Sequence, residues 1–195
     1  MLAPPKNVFL VKDIIMKRVS FLFVFAVSIG WGQLEDSELA ALKLSWNAEL
    51  NQQIIDLGIG TTHQDGWSDI SDSIYNAYEK DTFLINGILT RQLEVDGSTF
   101  GMVRALSDYE ASYDKLLNKY YLFLLGRMEK VDRETLKESQ RNWIKFRDSE
   151  RKFSGLLTED KYSGGGTIQQ IFYADWYADF TKRRVEELID YLGRL

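Results

Sequence analysis

Proline occurs only at positions 4 and 5 of this 195-residue chain, and cysteine does not occur at all. A proline inside a helix costs about 3 kcal/mol. Its absence after Pro5 therefore permits long helices in the rest of the chain. Without cysteine, no disulfide can hold the fold together. The fold must therefore depend on its apolar core, and a chain of this length can bury one.

Apolar residues recur at steps of three or four along most of the chain, which is typical of amphipathic helices. Five segments show this pattern, and they begin at Asp36, Ser68, Thr99, Asp132 and Thr167. A glycine-rich connection precedes the last segment. We therefore predict an all-α fold, a bundle of about five helices in which long helices lie antiparallel.

The stretch 82–95 allows two interpretations. Its apolar residues fit one face of a helix, but Asn86-Gly87 and Asp96-Gly97 are also turn signals of β-hairpins. We favour a helix, because the segments on either side have helical patterns.

The N-terminus has the features of a secretory signal peptide. Lys17 and Arg18 precede an apolar run at 19–29, and small residues follow that run. The run is too short to span a bilayer, which takes about 20 apolar residues. We predict a signal peptide at 1–32, with Met16 as an alternative start. The mature protein would be periplasmic or secreted from a bacterium, without membrane insertion.

Cleavage would leave an N-terminal helical extension at 33–97 and a helical domain at 98–195. The full chain has a formal charge of −5, and the leader is basic, so the mature chain is more acidic. Nucleic-acid binding requires clustered Lys and Arg, which argues against that function. An acidic surface suits solubility or a basic partner.

Four blocks of residues follow one another in the C-terminal half. They are Asp114, Leu117, Asn118 and Tyr121; Leu136, Gln140, Trp143, Arg147 and Asp148; Gly165, Gly166, Thr167 and Ile168; and Thr181, Arg184 and Leu188. In order and spacing they resemble the LprI-type domain of the lysozyme inhibitor LprI, found in small exported bacterial proteins of mostly unknown function. The resemblance covers about residues 99–192. It implies a helical binding protein, and lysozyme inhibition for some members.

This chain departs from the family at two positions, since Arg151 and Trp176 stand where the family usually has cysteines. We predict that Arg151 packs across Trp176 and joins the same two helices. A cation–π contact contributes about 0.5–2 kcal/mol, against about 2–4 kcal/mol for a disulfide. The contact would therefore replace the bridge only in part.

The motif residues indicate architecture more than catalysis. Trp143 and Arg147 are four residues apart and share one face of a helix. We predict Trp143 in the core and Asp114 as the carboxylate partner of Arg147. Thr181 and Arg184 are expected to form hydrogen bonds at the same helix junction.

Recognisable catalytic sets are missing from the sequence. His63 is the only histidine and lies in a polar loop, so neither a triad nor a zinc site is indicated. The glycines at 164–166 lack the Lys-Ser/Thr of a phosphate-binding loop. Carboxylates are numerous, but no pair stands out as a glycosidase pair. We predict no catalytic residue, no metal and no cofactor.

These features lead to the hypothesis of a non-enzymatic binding protein whose partner is a lysozyme or another basic protein. We place its partner-binding loop beside Arg147 and Asp148. The loop consists of Lys161, Tyr162, Ser163, Gly164, Gly165 and Gly166. The alternative is a structural or accessory periplasmic protein with an endogenous partner, and a carboxylate-based hydrolase is a minor alternative.

Overall fold

The computed structural model describes residues 35–61 and 69–195. Six helices occur in these ranges, and the predicted all-α bundle is confirmed. They are α1 (Asp36–Asp56), α2 (Asp69–Val95), α3 (Thr99–Arg127), α4 (Arg133–Leu157), α5 (Asp160–Ser163) and α6 (Ile168–Leu192). The predicted signal peptide and His63 lie outside the described residues.

The ambiguous stretch 82–95 is helical and forms the second half of α2. Gly87 serves packing there, because an added Cβ would lie 2.5 Å from the side chain of Leu50 on α1. The turn after α2 is short. The Ser98 hydroxyl begins α3 by accepting a hydrogen bond from the Gly101 amide at 3.0 Å, which satisfies one of the free amides at the start of a helix.

Neighbouring long helices alternate in direction. Between α2 and α3, Gln92 contacts Asp108 and Tyr120 contacts Asp81, so these two helices are antiparallel. Short connections also reverse the chain between α3 and α4 and between α4 and α6. As a consequence, α3 and α6 run in the same direction, side by side.

The core is centred on α3 and α6, which form the largest helix–helix contact of the described fold. The small side chains of Ala178, Thr181 and Val185 are buried on α6 and allow α3 to approach closely. Helix α4 lies at the edge, because its only buried residues are Leu136 and Gln140. Among the described residues, no helix is both long and apolar enough to cross a membrane.

Candidate functional site

The edge helix α4 is attached to α6 by a buried guanidinium. Arg184 on α6 is 5% exposed. It donates from Nε and Nη2 to the side-chain oxygen of Gln140, at 3.2 Å in each case. Its Nη1 lies 2.7 Å from Glu187. A buried charge needs such partners, so these residues fix the distance between α4 and α6.

Trp143 lies beside two guanidinium groups. Its ring is 5.4 Å from Cζ of Arg147 and 5.7 Å from Cζ of Arg184, and it stacks on Phe180 at 5.9 Å. These distances are typical of cation–π contacts. The prediction that Trp143 lies in the core is wrong: the side chain is partly buried at the core margin, because α4 packs at the edge of the bundle.

The predicted pairing of Arg147 with Asp114 is present and links α4 to α3. Nη1 of Arg147 lies 3.6 Å from Oδ1 of Asp114, while Nη2 lies closer, at 3.0 Å, to Asp148. The Asp114 side chain is 42% exposed, so water screens the pair. An ion pair of this kind contributes below about 1 kcal/mol.

Glu110 is a member of this junction that the sequence motif does not indicate. Its carboxylate accepts a hydrogen bond from the Thr181 hydroxyl at 3.2 Å. Partial burial raises the pKa of Glu110, and the charge of Asp114 adds to the increase, while the Thr181 bond and two arginines oppose it. The available signal was its spacing, since Glu110 lies one helical turn before Asp114.

Arg151 joins α4 to α6, but the predicted partner is wrong. Its guanidinium lies 4.3 Å from the ring of Tyr177 and donates to the hydroxyl groups of Tyr173 and Tyr177 at 3.2 and 3.3 Å. Trp176 packs on Phe180 instead, at 5.3 Å. The reason is the helical rotation of about 100° between adjacent residues, which turns Tyr177 toward α4.

The remaining motif residues have structural positions. Leu117 and Leu188 are buried in the core, and Tyr121 packs against it. The Asn118 amide donates to the carbonyl oxygen of Asp114 at 2.9 Å.

The candidate loop is shorter than predicted, because Lys161, Tyr162 and Ser163 form the one-turn helix α5. The three glycines that follow have φ values of 77°, 82° and 96°, which side chains other than glycine rarely adopt. A Cβ added at Gly164 or Gly166 would meet no atom within 4 Å. The glycine turn therefore borders open space at Gly164 and Gly166, whereas a Cβ at Gly165 would lie 3.0 Å from Oδ1 of Asp160.

The predicted position of this loop is also wrong. Arg147 precedes the last residue of α4, Leu157, by ten residues, which is about 15 Å along a helix. The glycine turn thus lies at the end of the α4–α6 hairpin, away from Arg147 and Asp148.

Apolar side chains are exposed along the same hairpin. We call this set the hairpin flank. Its exposed members are Phe146, Phe153, Leu157 and Phe172, and its partly buried members are Trp176 and Phe180. Sequence reasoning missed it, although the steps of four from Phe172 to Trp176 and Phe180 indicate one helical face.

Comparison with known proteins places this hairpin within a family. Residues 92–188 match the family model described as lysozyme inhibitor LprI. This segment is LprI-type. The match confirms the resemblance predicted from the four blocks, and it leaves α1 and most of α2 outside the LprI-type segment.

One relative of this chain is the uncharacterized protein R02472 of Rhizobium meliloti (strain 1021). The two are 29% identical over 94 residues, which cover 42% of this chain and 63% of the relative. The chain therefore spans less than two thirds of that relative. No solved structure matches the chain significantly.

Proposed function

We propose that this chain is an exported, non-enzymatic bacterial protein that binds and inhibits a basic lysozyme. The observation that carries the proposal is the LprI match over 92–188. That segment contains α4, the glycine turn and α6 as far as Leu188. Inhibition requires a surface that binds the enzyme and a part that blocks its cleft.

Electrostatics supports a basic partner. The chain has a formal charge of −5, and lysozymes of the c-type are strongly basic. Opposite net charges accelerate encounter and favour binding at low salt. Salt shortens the range of this attraction to about 10 Å at 0.1 M, so binding should weaken as salt is added.

The shape of the glycine turn supports a blocking role. A backbone without side chains is slim enough to enter a cleft, and at Gly164 and Gly166 it borders open space. Tyr162, on the adjacent α5, is 58% exposed. We propose that residues 161–166 contact the cleft of the bound lysozyme.

The junction polar groups support a role without catalysis. Arg184, Arg147 and Glu110 each have partners within the bundle. Such groups hold helices in position, whereas an acid catalyst must be directed toward a substrate.

The test is a lysis assay with hen egg-white lysozyme and the protein purified after expression of the full chain. We expect stoichiometric loss of lytic activity at low salt, with less inhibition as salt rises. Tyr162→Ala should weaken inhibition, whereas Tyr191→Ala, at the far end of α6, should not. Full lytic activity in a molar excess of the protein would reject the proposal. An endogenous envelope partner recovered in its place would favour the accessory-protein alternative.

A further inference from the structure

The C-terminal half of α3 has a face that no other described helix covers. Its side chains follow one another at steps of three or four residues, so they lie on one side of the helix. The turn from α3 to α4 continues this face, and all of its members are exposed. We call this set the basic face, and it consists of Lys115, Lys119, Leu122, Phe123, Arg127, Lys130 and Val131.

Large apolar side chains project from the basic face. The exposed fractions are 63% for Leu122, 49% for Phe123 and 83% for Val131. A Cβ added at Gly126, between Phe123 and the turn, would meet no atom within 4 Å, so the surface is open there. Single exposed apolar residues are ordinary, but these three lie together at one end of the bundle.

The charge around these apolar side chains is opposite in sign to that of the whole chain. Residues 115–133 contain five basic side chains and two carboxylates, which gives a formal charge of +3 within a chain of −5. Both carboxylates, Glu129 and Asp132, lie in the turn, and the segment 115–128 contains none.

Most of these positive charges are not neutralised by the protein itself. Among the described residues, no carboxylate pairs with Lys115, Arg127 or Lys130. Lys119 does have such a partner, since its Nζ lies 2.5 Å from Oδ2 of Asp81. Three unpaired cations therefore remain on the basic face.

The neighbouring charges do not cancel this excess. Arg133 donates to the backbone carbonyl oxygens of Met128 and Gly126 at 3.1 and 3.3 Å, and these groups carry no net charge. Glu134 is paired with Lys137 at 2.5 Å. The start of α4 therefore adds one further positive charge to this end of the bundle.

The combination of cations with protruding apolar side chains identifies the kind of partner. Bilayers with anionic lipids attract clustered Lys and Arg, and Phe and Leu side chains enter the boundary between headgroups and acyl chains. Nucleic acid would attract the same cations, but its phosphate backbone offers no apolar layer to Leu122 and Val131. The bilayer surface therefore suits both halves of this pattern.

We infer that the basic face of α3 docks the protein onto the surface of a bilayer that contains anionic phospholipids. The three apolar side chains enter the headgroup region, and the unpaired cations contact the lipid phosphates. Binding is peripheral, since α3 lies along the surface with its buried stripe still in the bundle. The inference does not depend on lysozyme binding.

The experiment measures co-sedimentation of the full chain with vesicles of phosphatidylcholine and phosphatidylglycerol in equal parts, at low salt. We expect the wild type to bind these vesicles and to bind vesicles of phosphatidylcholine alone at least about tenfold more weakly. All variants share one N-terminus, so differences between them report the basic face. Circular dichroism checks that each variant is folded.

The charges are tested by Arg127→Gln/Lys130→Gln, which should bind the anionic vesicles at least about tenfold more weakly. Its matched control is Lys145→Gln/Lys152→Gln, because these exposed lysines of α4 also lack a carboxylate partner among the described residues. The control changes the net charge equally and should bind within about twofold of the wild type. Equal losses in the two variants would show an effect of net charge alone and would overturn the inference.

The apolar contact is tested by Leu122→Ser/Phe123→Ser, which should also bind about tenfold more weakly. Its matched control is Leu44→Ser/Phe172→Ser, two side chains that are 74% and 53% exposed on α1 and α6, and it should bind like the wild type. Wild-type binding by the Leu122/Phe123 variant would contradict the inference.

Two further outcomes would reject the bilayer as the partner. One is a wild-type protein that stays in solution with the anionic vesicles. The other is binding to polyglutamate as strong as binding to the vesicles, because the face would then bind an acidic chain by charge alone. Neither outcome affects the lysis assay, so the proposed function is tested separately.

Discussion

Arg184 on α6 and Gln140 on α4 form the central connection between the two helices of the hairpin. Two guanidinium nitrogens converge on one amide oxygen at 3.2 Å, where the side chains are 5% and 8% exposed. The planar guanidinium suits this geometry because its donors point in fixed directions.

Replacing the Arg184 guanidinium by the ammonium group of a lysine should destabilise the protein. Lysine cannot supply the same pair of donors, so we expect Arg184→Lys to lower the free energy of unfolding by about 2 kcal/mol. Arg194→Lys is the matched control, because the Arg194 side chain is 70% exposed and forms an ion pair with Asp190 on the surface. There we expect a loss below about 0.5 kcal/mol. Urea unfolding measures the free energy of unfolding of both variants. Equal losses would contradict a special role for the buried contact between Arg184 and Gln140.

The glycine turn should be sensitive to a single methyl group. Gly164 has φ 77° with open space around it, so Gly164→Ala tests backbone conformation alone and should cost about 1 kcal/mol. Gly126 also has open space, but it lies in the last turn of α3, where the backbone is helical. Gly126→Ala should therefore stabilise the fold by about 0.5–1 kcal/mol. Thermal unfolding of both variants would show opposite shifts, and a neutral Gly164→Ala would contradict the prediction.

Removing one buried hydroxyl should increase stability. The Tyr113 hydroxyl is buried without a well-aligned hydrogen bond among the described residues, and its polar neighbour is the Tyr109 hydroxyl. Because so weak an interaction does not offset the cost of burying the hydroxyl, Tyr113→Phe should stabilise the protein by about 1 kcal/mol. Tyr120 is the comparison, because its hydroxyl donates to Asp81 at 2.8 Å. Tyr120→Phe should destabilise by about 1 kcal/mol. Denaturant unfolding distinguishes the two signs, and destabilisation by Tyr113→Phe would show that its hydroxyl has a stabilising partner.

Glu110 should make stability depend on pH. Its pKa in the folded state is raised above the ordinary 4.5 by partial burial, with Asp114 adding to the increase and Thr181, Arg147 and Arg151 opposing it. The folded state thus holds the proton more tightly, and this group's contribution to stability falls as pH rises from about 4.5 through the raised value. The Glu110→Gln variant has no titrating group at this position and does not lose stability in this way. Its free energy of unfolding relative to the wild type should therefore be higher at pH 7 than at pH 4.

Glu134 supplies the control of opposite sign. The hydrogen bond and charge of Lys137 lower the pKa of this exposed carboxylate. Its stabilising contribution is present above pH 4.5 and is lost as pH falls. Glu134→Gln should therefore be less stable relative to the wild type at pH 7 than at pH 4. Urea midpoints at both pH values provide the test, and parallel shifts in the two variants would contradict it.

Local sequence rules identified the helices well but not the roles of individual glycines. The predicted starts of α1 and α3 agree with the structure, because stripe periodicity and caps are encoded within a few residues. The dipeptide Asn86-Gly87 was compatible with both a hairpin turn and a helix. Its glycine serves helix packing, because the side chain of Leu50 on α1, which is distant in sequence, lies against Gly87.

The sequence predicted only part of the site. The Arg147–Asp114 pair followed from the need of a guanidinium for a carboxylate. The partner of Arg151 did not follow, since choosing between Trp176 and Tyr177 requires the rotation of α6 about its axis. That rotation is set by packing against α3, through contacts far apart in the chain.

The sequence alone determined that this protein is helical, without proline after Pro5, and that it carries motif blocks resembling the LprI family, because periodicity and spacing are local properties. Tertiary packing decided that α4 lies at the edge of the bundle. This position leaves Trp143 at the core margin and leaves Phe146 and Phe153 of α4 exposed. Burial depends on which helices pack closely together, and here α3 and α6 form the close pair.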